Sequence, residues 1–277
     1  MQIINNYHQF ISGESARDQL RNLGRKLIIG ARSLAKNISN SSGWIRFPYY
    51  HHVFDDERAG FERQMKYFKN YGDLISMDDA CAMVQQGKPI NGRYFCVSFD
   101  DGFLSCFTNM MNITYSLDVP VIIYLPTDFI GLDVNKEADQ KKIESFYEDQ
   151  KGLVPFLKWN QCRMMLKQKV SFGSHTCSHA NLAKITDADI ESELIRSKKK
   201  IEEELQTPCN HFACPWGRPD IDFFPERTST IARAAGYTSF ATTARGKTTH
   251  GADLFVLKRD HVLANWENFQ LRYFFSL

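Results

Sequence analysis

Apolar and polar positions along the chain switch repeatedly between two periods. Short runs rich in β-branched and aromatic residues, WIRFPYYHHV (44–53), RYFCVSF (93–99), VPVIIYLP (119–126), KVSFGSH (169–175) and NHFACP (210–215), read as strands. YTSFAT (237–242) and LFVLKR (254–259) extend the series. Between them, FERQMKYFKNYG (61–72), LSCFTNMMNITYSLD (104–118), KWNQCRMMLKQ (158–168), ADIESELIRSKKKIEEEL (188–205) and ERTSTIARAAG (226–236) carry apolar residues at helical spacing. Runs such as VPVIIYLP are apolar without alternation, as expected of strands covered on both faces. Strand and helix taking turns in this way predict crossover units around a parallel sheet or barrel.

Two segments stand outside the rhythm. From Arg17 to Lys36, Leu20, Leu23, Leu27, Ala31 and Leu34 recur at helical spacing beside Arg17, Arg21, Arg25, Lys26, Arg32 and Lys36. This predicts a basic amphipathic helix, either packed on its own domain or lying on an anionic membrane surface. NISNSSG (37–43) reads as a linker, so residues 1–43 are expected to form an extension and 44–277 the main domain. The polar stretch 133–152 separates a strand from the next helix and reads as a surface insertion, a candidate lid.

Composition narrows the function classes. A chain of 277 residues with 43% hydrophobic and 24% charged residues has ample material for a core. Its net charge of +2 gives no ground for a nucleic-acid partner, which would need a basic excess gathered on one face. The seven cysteines are odd in number and several sit in apolar runs, which fits a reducing compartment. The start MQIINNYHQF lacks the features of a secretory signal, and no apolar run is long enough to span a bilayer. The expected setting is cytoplasmic, with contact at the inner face of the membrane through residues 17–36 as the second reading of that helix.

The candidate chemistry lies where apolar runs end, because strand ends of an α/β barrel gather at one mouth. Asp100 and Asp101 follow YFCVSF, His175 and His179 follow VSFGS, Trp216 and Arg218 follow FACP, and His261 follows LFVLKRD. Adjacent carboxylates repel, and Asp-Gly alone is a common turn signal. If the chain enters a helical turn after Ser174, the spacing of His175 and His179 puts both imidazoles on one face, where they can share a metal. One carboxylate and two imidazoles make a three-ligand site with positions left open, suited to a catalytic zinc or similar divalent ion. The second carboxylate can then act as general base.

From about Phe47 onward the chain resembles the polysaccharide deacetylase family, the NodB homology domain of carbohydrate esterase family 4. The resemblance rests on FPYYHHV, VSFDDG, VPVIIYLPTDFIG, GSHTCSHANL and FACPWGRP in the family's order. It implies a distorted (β/α) barrel with the N-terminal helix as an addition. It also implies Asp100 as catalytic base and Asp101, His175 and His179 as ligands of a divalent metal, zinc or else cobalt, nickel or manganese. Trp216 would contribute a backbone N–H to the oxyanion, and His261 would be the general acid, with His250 and His51 as competitors. His51 could instead line the substrate site. The family's third-motif arginine is replaced here by Ala213; Arg218 is a candidate for substrate binding and, lying nearby, could orient the base, and Arg259 is a candidate for an anionic part of the substrate. The implied partner is an acylated amino sugar, as oligosaccharide or linked to a nucleotide or lipid. Removal of a formyl or O-acetyl group, or a binding protein without turnover, are the alternatives.

Overall fold

The structure is a computed structural model and describes residues 2–12, 15–147 and 152–276. Its strands, in chain order, are β1 (Trp44–Arg46), β2 (Pro48–Tyr50), β3 (Asp73–Leu74), β4 (Arg93–Phe95), β5 (Val97–Phe99), β6 (Val121–Leu125), β7 (Val170–Ser174), β8 (His211–Ala213), β9 (Ser239–Ala241) and β10 (Asp260–His261). The helices are α1 (Tyr7–Phe10), α2 (Ala16–Ser33), α3 (Arg58–Tyr71), α4 (Met77–Gln85), α5 (Met111–Ser116), α6 (Glu137–Glu144), α7 (Trp159–Met165), α8 (Asp187–Leu205), α9 (Pro225–Ala234) and α10 (Asn268–Phe275).

The main sheet has seven strands in the order β10-β2-β5-β6-β7-β8-β9, and each neighbouring pair is parallel. It curls into a half-barrel, so the strands' C-terminal ends face one mouth. Tyr49, Ser98 and Tyr124 turn to the inside of the curl around Arg259, Phe99 packs outward on Phe61 of α3, and helices such as α8 cover the outside with Ile190, Leu194, Ile201 and Leu205.

Two predicted strands are each broken in the middle. Residues 44–53 divide at Phe47 and residues 93–99 at Cys96, both 1% exposed. Their first halves, β1 and β4, pair with each other and, through β4, with β3 in a separate three-stranded sheet, while β2 and β5 enter the main one. The ladder bridges the step through Cys96 N donating to Arg46 O at 2.9 Å. Because these halves are buried on both faces or nearly so, the sequence has no alternation that could mark the change of sheet.

The run 254–259 is not a strand. Asp253 caps a 3₁₀ turn at Leu254–Val256, and the chain then passes between the two edges of the curl. Leu257 N donates to Phe240 O (2.9 Å), while Asp260 N donates to Phe47 O (2.8 Å) and Val262 N to Tyr49 O (3.0 Å). This single segment closes the barrel and carries Arg259 and His261 into it.

Helix α2 forms where the spacing predicts one, with Ser15 as N-cap accepting from Asp18 N. It packs along α10 through Ile29, Gly30 and Ser33, and its leucines point outward. The expected linker is ordered: Ile38 lies in a short 3₁₀ turn and is 1% exposed. The described part of the insertion contains α6, followed by Phe146 and Tyr147 turned toward the barrel mouth. No helix among the described residues is long and apolar enough to cross a membrane.

Candidate metal centre and its surroundings

β5 delivers two carboxylates to the mouth and a left-handed turn separates their directions. Asp101 has φ 69° and Gly102 φ 62°. A Cβ at residue 102 would lie 2.6 Å from Leu125 Cδ2, so glycine is required there.

The two histidines after β7 do not sit on a helical turn. Thr176 (φ 64°) and His179 (φ 60°) take left-handed conformations that fold the loop back on itself. Such backbone is costly for non-glycine residues and persists where its surroundings hold it. Here the Glu193 carboxylate, on the inner side of α8, accepts from Cys177 N (2.7 Å), Ser178 N (2.9 Å) and Ser178 Oγ (2.9 Å). On the other side Thr127 N donates to Thr176 O and Asp128 N to Cys177 O.

As a result, His175 Nε2 lies 3.4 Å and His179 Nε2 3.3 Å from Asp101 Oδ1, and the three ligand atoms are all within 4.8 Å of one another. Ala213 O can only accept, so His175 Nδ1 at 2.7 Å carries the proton and Nε2 presents its lone pair to the cluster. Burial pushes the His175 imidazole down to about 4, which keeps it neutral as a ligand must be. Burial alone would raise the Asp101 carboxyl, but His179, His51 and His175 outweigh it and hold it below the usual carboxylate range. Asp101 Oδ1 is buried without a hydrogen-bond partner among the described residues. An orphaned carboxylate oxygen facing two imidazole lone pairs is what a divalent cation fits. Two nitrogens and one oxygen suit zinc, and equally cobalt, nickel or manganese.

Asp100 lies outside this three-residue set and is held by a buried arginine. Arg259 Nη1 and Nη2 donate to its two oxygens at 2.7 and 2.8 Å, and Arg259 Nε donates to Thr242 O at 3.0 Å. The guanidinium lies 4.3 Å from the Tyr49 ring centroid and 5.5 Å from that of Tyr124. Burial works to raise the Asp100 carboxyl, and Arg259 with His175 overcomes it, leaving Asp100 ionised. Two expectations about arginine are thereby corrected. Arg259 is 0% exposed with its fork committed to Asp100, so it is not free for an anionic substrate group. Arg218 does not orient the base, because its Nε and Nη2 donate to Asp222 at 2.8 and 3.1 Å; it lines the open groove instead.

Among the remaining candidates, His261 and His51 stand edge to face with ring centroids 5.3 Å apart. Burial, reinforced by His51 and Arg245, takes His261 down to about 3, so its resting form is neutral. Asp260, the adjacent carboxylate that could hold a proton on it, is bound by Arg46 (3.1 Å) and Arg245 (3.2 Å). His250 lies exposed in a surface turn. Trp216 has φ 61°, its indole is 5.4 Å from the His179 ring, and its backbone N–H has no acceptor among the described residues.

Sequence reasoning did not single out Glu193, Phe146 or Tyr147. Phe146 packs on His179 at 4.5 Å and, with Tyr147, Phe129, Trp216 and Arg218, walls a groove of about 680 Å³ leading past His179. Glu193 had a signal: it falls at i+3 from Ile190 and i−4 from Ser197, a carboxylate in register with the buried stripe of α8.

Set against known proteins, residues 87–240 match the family described as polysaccharide deacetylase. YxkH of Bacillus subtilis (strain 168), provisionally named a polysaccharide deacetylase, is 22% identical over 203 residues, 73% of this chain. The chain spans 63% of that relative's length. The structure of IcaB from Ammonifex degensii superposes with a TM-score of 0.69 at 18% identity, covering 86% of this chain and 98% of that one. The Streptococcus pyogenes deacetylase PplD, solved in complex with acetate, gives 0.67 at 18% identity over 86% of this chain and 100% of that one. At these identities the likeness is one of fold.

Proposed function

The chain belongs to the polysaccharide deacetylase family, hydrolases acting on carbon–nitrogen bonds, and from that premise we propose that it is a metal-dependent amidase removing an N-acyl group, N-acetyl foremost, from an amino sugar. The observation carrying this reading is Asp101 Oδ1, buried, unpaired and faced by the Nε2 atoms of His175 and His179. These three residues would hold the cation, which when bound polarises an acyl carbonyl and lowers the pKa of a water.

The chain's own groups supply the remainder. Asp100, kept ionised and fixed in direction by Arg259, takes a proton from the attacking water as its oxygen bonds to the carbonyl carbon. The backbone N–H of Trp216, which has no acceptor among the described residues, would donate to the carbonyl oxygen as negative charge gathers there. The C–N bond then breaks, the nitrogen leaving with the proton that Asp100 accepted, relayed through neutral His261 next to His51, to give a carboxylic acid and a free amine. Residues 44–277 would carry this chemistry and residues 1–43 extend it. The groove walled by Phe146 and Trp216 suits a sugar ring, which stacks on aromatic faces. A cytoplasmic setting, and with it a nucleotide- or lipid-linked substrate in surface-polysaccharide or glycolipid synthesis, is supported by seven cysteines all present as free thiols.

The binding-protein alternative is disfavoured by the Asp100–Arg259 fork, since an orienting clamp on a buried base serves turnover and not retention. The test is acid release, with and without chelator and with zinc, cobalt, nickel or manganese restored. N-acetylated and N-formylated amino sugars, free, nucleotide-linked and lipid-linked, are the substrates. Metal-dependent release of acetate is expected; formate or O-acetyl specificity would move the acyl assignment. Metal retention without turnover on any of them would make the protein a binder.

A further inference from the structure

Helix α2 docks through a face that leaves its leucines in solvent. Its contacts with the body run through Ile29, Gly30 and Ser33, with Phe269 over Gly30 and Arg272 Nη2 donating to Ser33 Oγ at 3.1 Å. At about 100° per residue, Leu20, Leu23, Leu27 and Leu34 fall within roughly a sixth of the circumference, about a quarter turn from the centre of that contact face. They are 70%, 56%, 68% and 79% exposed. A helix resting on its own protein normally buries such a stripe, and contiguous exposed leucines mark a surface that meets something.

Charge selects the occupant. Between residues 17 and 36 there are six cations, Arg17, Arg21, Arg25, Lys26, Arg32 and Lys36, against one acid, Asp18. Arg17, Arg21 and Arg32 flank the stripe on one side. Two copies meeting stripe to stripe would set these arginines against one another, whereas an anionic lipid surface accepts the leucines among its acyl chains and the arginines among its headgroups. Beneath α2 runs a groove of about 730 Å³ that carries Arg25, Lys26 and Arg245 and reaches His261.

We propose that α2 lays its leucine stripe on an anionic membrane surface, and that the groove below it opens at that surface. The docking stands on the helix alone; that the groove delivers a lipid-borne substrate rests on the reading of His261 as part of the reactive site.

The experiment is co-sedimentation of the full chain with phosphatidylglycerol–phosphatidylcholine vesicles and with phosphatidylcholine vesicles. Binding to the first, weakening as salt is raised, is expected. Leu20→Glu combined with Leu27→Glu should lower the partition coefficient by about a hundredfold, with an unchanged melting temperature because both side chains are already in water. Acetate release from a soluble N-acetylglucosamine oligomer should be unaffected in the same variant. Failure of the native chain to pellet with anionic vesicles overturns the proposal, and so does a concentration-dependent dimer that the double variant abolishes. Vesicle binding in a protein that releases no acid from any amino sugar leaves the docking in place and sinks the enzymatic reading instead.

Discussion

The loop after β8 and the segment that closes the barrel between β9 and β10 each bring one arginine to the mouth. Arg218, in the loop, bonds Asp222 four residues away, and its side chain is 61% exposed. Arg259, in the closing segment, bonds an aspartate 159 residues earlier in the chain and is wholly buried between two tyrosine rings. An exposed pair of the first kind is screened by solvent and holds little in place. A buried pair of the second kind is costly to break, about 3–5 kcal/mol when one partner is removed, and it fixes the carboxylate's direction through two parallel bonds. Depth, and not proximity in sequence to the third motif, decides which arginine can orient Asp100, the proposed base.

The largest effect that would break this contrast is at Asp100 itself. Asp100→Asn keeps an acceptor for one arm of the Arg259 fork but removes the base. Turnover should fall by about 10²–10⁴-fold, while metal content stays at the native level because Asp101, His175 and His179 are untouched. Equal activity in the variant would separate Asp100 from proton transfer and leave Arg259 as a structural bolt only.

Arg259→Lys probes the clamp while keeping the charge. A lysine ammonium cannot reproduce two parallel bonds, so Asp100 should lose its fixed direction and kcat fall by about 10²-fold, the scale of a 1 Å misplacement. KM and metal content should change little. A variant with kcat intact and only its melting temperature lowered would show that the fork stabilises the seam without serving the base.

What could be read in the sequence follows the same line between local and distant. Asp100, Asp101, His175 and His179 were recognisable because each closes an apolar run, and strand ends converge in this class of fold. The way they converge was not recognisable. A four-residue spacing suggests a helical turn, and nothing in THCS-type polar sequence announces that Thr176 and His179 adopt φ near 60° under the grip of Glu193. The Arg259–Asp100 pair joins residues 159 positions apart, a closure that periodicity cannot encode. Helix α4 offered a local signal, Ser76 capping Asp79 N ahead of Met77, Ala80, Cys81 and Val84, in a stretch too short to stand out. The outward leucines of α2 were legible as a stripe, but which way the stripe faced depended on α10, a helix whose own pattern was not read.

Glu193→Gln extends the comparison to the metal side of the mouth. Gln retains one acceptor oxygen but replaces the other with an N–H₂ that opposes the donors of Ser178. The histidine loop should loosen, and metal affinity, measured by titration of the apo-protein, should fall by about 10–100-fold as for other groups that orient ligands. Activity at saturating metal should recover. An unchanged affinity would mean that the left-handed residues hold the loop without help.

The smallest effect is expected at Arg218, and it is the control for the whole contrast. Arg218→Ala removes a guanidinium that leans on Asp222 along the groove wall and touches neither Asp100 nor the three candidate ligands. Asp222 keeps the Asn181 side chain (3.0 Å) and the residue 218 backbone N–H (3.0 Å), so the loop should hold its shape. Stability should barely change, kcat should be retained, and any penalty should fall on KM for substrates long enough to reach the groove. A loss of kcat as deep as that of Arg259→Lys would mean that Arg218 moves onto the base when substrate binds, and burial in the free protein would then be the wrong guide to function.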